Sequence, residues 1–436
     1  MGMTRLVRAT FIAFAFVLIS STLPSAHAEN RKPLTAASLN TLLPWITSVS
    51  IDKPSSDKLL DAIARSAARA TGRKPSETLA PQSSTFDRKV AWLATFLKSV
   101  APDTEKRSLL LRQALQAALA GLHDDGTGLF PPHKYMLPPE KEGYDKGGVG
   151  LLVDPTVDAR GKFVIFETLD GFPGAEVGLK SGDRLISVDG RTLTGLSYRE
   201  AADLVRGSLG TRVKLEVERP GAASPQTFDV ERVWLNPNPK NISFKVLPGD
   251  IGYVRVKYLG ERLDVELGRI LETFKQKGVK KVVLDLRNNE GLLVGTQDVG
   301  GFFLGKGVEI TKLVTRHGTE VQRTHGDKSA EAPVTVLVNR YTSGAGVLLA
   351  SVLQGRGGAR LVGESTVWRD QPTESKELTD GSTITVTTGY YVIGKGQKLR
   401  STGDSLKLDV TVPQDPLKPL GGDDDAQLQK AVELSR

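Results

Sequence analysis

The hydrophobic and polar positions of this chain fall into three successive textures. Through residues 29 to about 140, apolar residues recur at helical spacing in "SDKLLDAIARSAARAT", "DRKVAWLATFLKSV" and "EKRSLLLRQALQAALAGL", separated by polar breaks. From Gly147 to about Leu235 the pattern shortens to strands punctuated by glycine turns. After "NPNPKN" a strand–helix–strand pattern begins: "DIGYVRVKYL", which alternates as a strand, then "RLDVELGRILETFKQKG", an amphipathic helix closed by Gly278, then the buried strand "VKKVVLDLR". It continues through "PVTVLVN" and the helix after it, with Leu348, Leu349 and Val352 on one face, and predicts an α/β core with a partly parallel sheet. The tail "DDDAQLQKAVELSR" offers an N-cap aspartate and a short apolar stripe, hence a terminal helix. The whole reads as an α+β multidomain chain. Its parts are an N-terminal helical region (29–143), a strand-rich domain (144–236), an α/β core (237–418) and a C-terminal helix (419–436).

The first 28 residues read as an export signal. Arg5 and Arg8 give the positive start, Phe11 to Ile19 the apolar middle, and "SAHA" a small-residue cut site after Ala28. The apolar run is short for a membrane span, with retention as an anchor the alternative. The mature protein is therefore expected outside the cytoplasm, in a periplasm or secreted. Cutting removes two arginines and no acid, so the net charge falls from +8 to +6. That excess is thinly spread. "KQKGVKK" suits a helix end better than a nucleic-acid patch, so no nucleic-acid partner is expected. The chain has no cysteine, so its stability rests on packed cores. No His/Asp/Glu cluster has metal-ligand spacing, and no cofactor motif is present; "GKG" at 305–307 lacks the spacing of a phosphate loop.

The middle region, "KGGVGLLV" followed by "GFPGAEVGLKSGDRLISVDGRTLTGLSYREAADLVRGSLGTRVKLEVER", resembles a PDZ domain of the bacterial type. The resemblance implies that Gly148, Val149, Gly150 and Leu151 offer backbone N–H groups to a peptide's C-terminal carboxylate, and that the peptide adds as a strand to a sheet edge. The residues agree: glycines let adjacent amides converge on an anion. The plainer reading is that they only shape a turn. Val149, Leu151 and Val153, with Ala201, Ala202 or Val205 from the helix, are expected to line an apolar pocket for an apolar C-terminal residue.

Beyond that module, "LAGLHDDGTGLFPPHKYMLPPE", "IGYVRVKYL", "KKVVLDLRNNEG", "VNRYTSGAGVLLASVLQ", "ARLVGES", "LTDGSTITVTTGYY" and "DAQLQKAVEL" follow one another as in the C-terminal processing, or tail-specific, serine peptidases, which the mature chain resembles over most of its length. That family uses a serine nucleophile, a lysine base and an assisting glutamine. Aligned on Asn339 and on Leu353–Gln354, the serine position carries Gly344, with Ser343 before it. At the family's spacing the lysine position carries Arg369 and the glutamine position Thr373. The oxyanion loop reads Asn289–Glu290–Gly291–Leu292, retaining Gly291 where the family has Asn–Pro–Gly–Gly.

Each replacement has a chemical consequence. Glycine forms no acyl-enzyme, and arginine keeps its proton, so Arg369 takes none from a hydroxyl. The leading expectation is a binding or adaptor protein. It would capture C-terminal tails of exported or envelope proteins, alone or for an active protease or cell-wall enzyme, without turnover. The alternative is an active serine endopeptidase that uses Ser343, which otherwise serves as a helix-cap hydroxyl. That alternative needs another base; Lys376 lies near in sequence, while no motif brings in His123, His133, His317 or His325. Arg369 is either a surface or ion-paired residue or a carboxylate binder in a remodelled cleft. Asp285 suggests acid–base work or, on the plainer reading, anchors the loop after its strand, and Trp368 is a packed tryptophan or lines the cleft.

Overall fold

The computed structural model describes residues 32–436, apart from 75, 77–78, 82, 123–125, 131–145, 170, 234–241, 261–262, 290, 402, 417 and 436. The export signal and its cut site lie outside the described residues. In chain order the elements begin with four helices, α1 (Leu39–Val49), α2 (Ser56–Ala70), α3 (Phe86–Val100) and α4 (Thr104–Ala120), and a short strand, β1 (Gly128–Phe130). The strand-rich domain follows: β2 (Lys146–Gly147), β3 (Leu151–Val157), β4 (Phe163–Thr168), α5 (Pro173–Glu176), β5 (Arg184–Val188), β6 (Arg191–Thr192), α6 (Tyr198–Val205), β7 (Gly207–Ser208), β8 (Arg212–Glu218) and β9 (Gln226–Glu231). Next come β10 (Ile242–Leu247), β11 (Ile251–Val256), α7 (Leu263–Gln276), β12 (Lys281–Asp285), α8 (Leu293–Leu304), β13 (Glu309–Thr315), β14 (Gly318–Arg323), β15 (Val334–Val338), α9 (Gly344–Gly357) and β16 (Arg360–Gly363). The chain closes with β17 (Thr373–Glu377), β18 (Thr383–Thr387), β19 (Gly389–Ile393), β20 (Gln397–Leu399), β21 (Val410–Thr411) and α10 (Ala426–Ser435).

These elements form two compact units. One gathers the described residues before 136 with 309–322 and 368–405; the other holds the remainder. In the first, Leu42, Leu43, Ile46, Leu60, Ile63, Leu93 and Leu115 from the four helices bury a core that Leu129, Ile384 and Val386 extend. Its sheets run β1-β18-β17 and β14-β13-β19-β20. Two segments of the 237–418 span thus pack with the helices.

The second unit contains two sheets. The strand-rich domain orders its strands β3-β4-β5-β8-β9, leaving β3 at an edge. Phe163, Ile165, Leu185, Val213, Leu215 and Val217 fill its core. The other sheet runs β10-β11-β12-β15-β16-β21, with β10–β11 antiparallel and the other pairs parallel. A sheet of this kind, covered by helices, needs strands apolar on both faces. Accordingly β11, expected to alternate, is buried along its whole length. On one face, α10 packs Leu428 and Ala431 against Tyr253, Val283, Leu337 and Val362. Helix α9 also departs from the one-faced expectation: every residue from Gly344 to Leu353 is buried, because the sequence is small or apolar all round.

Candidate functional site

The adjacent parallel strands β12 and β15 bring two loops together at their C-terminal ends, where ligands of open α/β sheets bind. The β15–α9 turn is held by side-chain clamps. Asn339 Oδ1 accepts from the N–H groups of Asn288 and Tyr341, while its Nδ2 donates to Asn288 Oδ1 and Gln414 Oε1, both at 2.8 Å. Thr342 Oγ1 donates to Leu286 O at 2.9 Å, and Ser343 N–H donates to Asn289 O at 2.9 Å. The loop after β12 passes so close to α9 that a Cβ at Gly346 would lie 2.8 Å from Asn289 O. Gly291, at φ +69°, sits against Leu259, where a Cβ would approach to 2.4 Å. Glycine at 291, the position matched to the oxyanion loop, is therefore required by packing.

Gly344, the position matched to the nucleophile, opens α9 at φ +48°. A side chain there would be strained, as on the sharp strand-to-helix turns that carry nucleophiles. Ser343 takes the N-cap position in extended conformation, but its hydroxyl makes no capping bond. This corrects the helix-cap expectation. The residue is 1% exposed, and its Oγ is buried without a hydrogen-bond partner. Among the described residues no base therefore stands within hydrogen-bond reach of it. Asn289 Oδ1 is likewise buried and unpartnered.

Arg369 and Thr373 belong to the other unit. Arg369 is half-buried, and Thr373 begins β17 opposite Thr387. Lys376, the substitute base considered above, is exposed and places its ammonium 5.3 Å from the Trp45 ring centre. Trp368 is a packed residue, fully buried and edge-on to Tyr391 at 5.3 Å.

Beneath the turn lies a buried charge network. Asp285 Oδ1 accepts from Arg287 N–H and Nε, and Arg287 Nη1 donates to Asp425 Oδ1 and Gln427 Oε1. Tyr253 donates its hydroxyl to Asp285 Oδ2 at 2.7 Å. Burial alone would raise the Asp285 carboxyl, but Arg287, Arg255 and the Tyr253 hydroxyl hold it below the usual carboxylate value. The same cluster pins α10, because Asp425 Oδ1 also caps that helix by accepting from Leu428 N–H.

In the strand-rich domain, Gly148 N–H donates to Val233 O, and the carbonyls of Val149 and Gly150 accept from Gly174 and Leu169. Among the described residues the N–H groups of Val149 and Gly150 find no acceptor, although both residues are buried. Gly150 has φ +77°, and a Cβ on it would lie 2.3 Å from Phe172 Cβ. Two free amides on a glycine turn make an anion nest. Leu151, Val153 and Val205 are partly buried against the same core as Val149 and Ala201. Arg232 donates to Val205 O and Leu204 O, tying the end of α6 to the strand beside the nest.

Sequence reading missed the contact between this domain and the core turn. Glu167 on β4 accepts from Arg255 Nη2 with both oxygens at 2.9 Å and from Asn288 Nδ2 at 2.8 Å. Phe166 stacks on Tyr341 with ring centres 4.2 Å apart, and Arg340 lies 3.9 Å from Asp154. Burial pushes the Tyr341 hydroxyl up to about 12. Nothing in "FVIFETLD" marks Glu167, since any strand end tolerates an acid. Asn288 and Asn339 were visible as motif positions, though their role as clamps was not.

Among the described residues no group of three or more His, Cys, Asp or Glu is placed to hold a metal, and no helix is long and apolar enough to cross a membrane.

Residues 250–412 match peptidase family S41, and residues 169–219 match the PDZ domain. The carboxyl-terminal-processing protease of Picosynechococcus sp. is 31% identical over 329 residues, covering 74% of this chain and 78% of that protein. A protein of the same name from Synechocystis sp. is 30% identical over 325 residues, covering 74% and 76%. The solved photosystem II D1 C-terminal processing protease has a TM-score of 0.57 at 23% identity, over 83% of this chain and 94% of that one, a likeness of fold. The chain belongs to the PDZ-containing C-terminal processing serine peptidases of family S41.

Proposed function

We propose that this protein captures the C-terminal tails of exported or envelope proteins in its PDZ groove and does not cleave them. The observation behind this reading is the β15–α9 turn: Gly344 offers no atom for attack, and the neighbouring Ser343 hydroxyl is buried with no base beside it. Losing nucleophile and base together leaves little beyond binding. An arginine at 369 and a threonine at 373 supply neither a proton acceptor nor the assisting amide. The free amides of Val149 and Gly150 support capture of a carboxylate, with Leu151, Val153, Ala201 and Val205 receiving an apolar side chain. Export to the periplasm or beyond fits the N-terminal signal. Delivery of the captured tail to an active protease or cell-wall enzyme is the role that suits such a binder.

A second reading, an active serine endopeptidase acting through Ser343, is favoured by the names of the relatives, which are proteases. One experiment separates the two. The mature protein, its Ser343→Ala variant and a Gly344→Ser/Arg369→Lys/Thr373→Gln triple variant are each incubated with an unstructured substrate ending in an apolar residue. The binding reading expects no cleavage by the first two and cleavage by the third. Cleavage by the native protein that Ser343→Ala abolishes establishes the second reading.

A further inference from the structure

The positive charge of the mature chain is gathered in one place, against the expectation of a thin spread. Residues 29–122 hold 14 lysines and arginines against 8 aspartates and glutamates, which accounts for the whole excess of +6 and leaves the rest of the mature chain neutral. Segments 309–322 and 368–405, which pack with these helices, are each balanced in charge. The helical unit is a cation in its own right.

One concave surface of this unit suits an anion with an apolar body. A cavity of about 720 Å³ opens between α3 and the residues that lead into it, Arg73, Pro81 and Ser84. Along α3, Arg88, Trp92, Thr95 and Ser99 recur at helical spacing, so they form one stripe facing the cavity. The polar side chains of the lining are two arginines and three hydroxyls; among the described residues it holds no carboxylate. Guanidinium forks and hydroxyls are donors that match phosphate oxygens. Phe96 is buried against the helical core beneath them, while Trp92 stays 47% exposed. An indole, apolar in body and polar at its N–H, belongs where a dry side meets a wet one.

We propose that this groove takes an anionic phospholipid, with Arg73 and Arg88 on the headgroup phosphate and Trp92 and Phe96 against the acyl chain, and so seats the helical unit on a membrane surface. Charge selects the occupant. Each basic residue near an anionic leaflet adds attraction, whereas a second copy would set two surfaces of like charge together. The path of the chain agrees. The apolar run Phe11 to Ile19 of the export signal closely precedes Lys32, whose N–H donates to Thr379 O of the same unit, so an exported chain enters the helical unit directly from the membrane it has crossed. The contact is peripheral, made by one amphipathic site and the charge around it.

The test is flotation of the mature protein with vesicles of phosphatidylglycerol and phosphatidylcholine in equal parts, and with vesicles of phosphatidylcholine alone. Binding is expected with the mixed vesicles only, and it should weaken as salt is raised. Arg88→Glu should lower it at least about fivefold and Trp92→Ala about threefold, with melting temperatures unchanged because both side chains are exposed. Lys53→Glu makes the same charge change on an exposed residue outside the groove and should cost less than about twofold. Inorganic phosphate at constant ionic strength should not release the protein, because it leaves the apolar half of the groove empty. No binding to the mixed vesicles, or an equal loss in Lys53→Glu, overturns the site. Release by inorganic phosphate makes free phosphate the occupant and overturns the lipid. Binding of polyglutamate without binding of either vesicle makes the occupant an acidic protein, and overturns it as well.

Discussion

The PDZ nest and the core turn are built alike. Each is a tight turn next to a strand, and each needs glycines where neighbouring atoms leave no room for a Cβ. They differ in what their chemistry is made of. The nest works through main-chain amides, which any sequence retains as long as the glycine geometry at Gly150 survives. On the proposed reading the turn's catalytic chemistry needs three particular side chains, and glycine, arginine and threonine stand at the positions matched to them. If tail capture without turnover is the function, backbone-borne binding and side-chain-borne catalysis are separable in one molecule, and the scaffold persists for its packing.

That persistence can be broken first at the buried network. Arg287 is surrounded by Asp285 and Asp425, and replacing it with alanine leaves two carboxylates buried without their cation. The expected loss is about 3–5 kcal/mol, read as a lower unfolding midpoint in calorimetry. The network also sets an acid limit. The folded-state pKa of Asp285 is depressed below its ordinary 3.8, so its contribution is fully present above that pH and is lost as pH falls through the folded value. Stability of the native protein should fall in that acid range, and Arg287→Ala should flatten that part of the profile. An unchanged midpoint would mean that the turn does not depend on this network.

The nest gives the next largest effect. Gly150→Val places a Cβ 2.3 Å from Phe172 Cβ at a φ of +77°, so the turn must open. Strain of about 1–2 kcal/mol from the backbone alone, plus the clash, should lower tail affinity at least tenfold. The melting of the network that holds the core turn should stay as in the native protein. Loss of tail binding with no such loss of core stability would sharpen the separation; equal loss of both would merge the two regions into one folding unit.

The legibility of this molecule follows the same division. The parallel strands β11, β12 and β15 were readable because a buried strand must be apolar and a crossover helix must be amphipathic, as "RLDVELGRILETFKQKG" is. The PDZ domain was readable from its long run of short strands and glycine turns, and residues 169–219 match that family, whereas the glycines at 148 and 150 taken alone read only as a turn. Strand β11 was misread as alternating because burial on both faces depends on what covers the sheet, which no local pattern states. The recruitment of residues 309–322 and 368–405 to the helical unit was invisible for the same reason, being a long-range packing choice. At the turn, the sequence suggested which side chains are replaced, while the enclosure of the Ser343 hydroxyl and its lack of a capping bond come from the fold. Glu167 left no trace because its partners, Arg255 and Asn288, lie 88 and 121 residues away.

Glu167 also supplies the finest test of separability. Its carboxylate faces Arg255 and Lys257 and accepts from Asn288, so it binds β4 of the PDZ domain to the loop after β12. Glu167→Gln keeps the shape and one acceptor but removes the charge that Arg255 needs. Charge-assisted hydrogen bonds are worth about 1.5–3 kcal/mol and neutral ones about 1, so the expected loss is about 1–2 kcal/mol. Hydrogen exchange at the amides of Asn288 and Asn289 should quicken accordingly. Because β3, not β4, carries the nest and the open edge, tail affinity should change by less than about threefold. A larger change would show that the glycine nest senses the core turn through this one carboxylate, and the two regions would then have to be treated as a coupled pair.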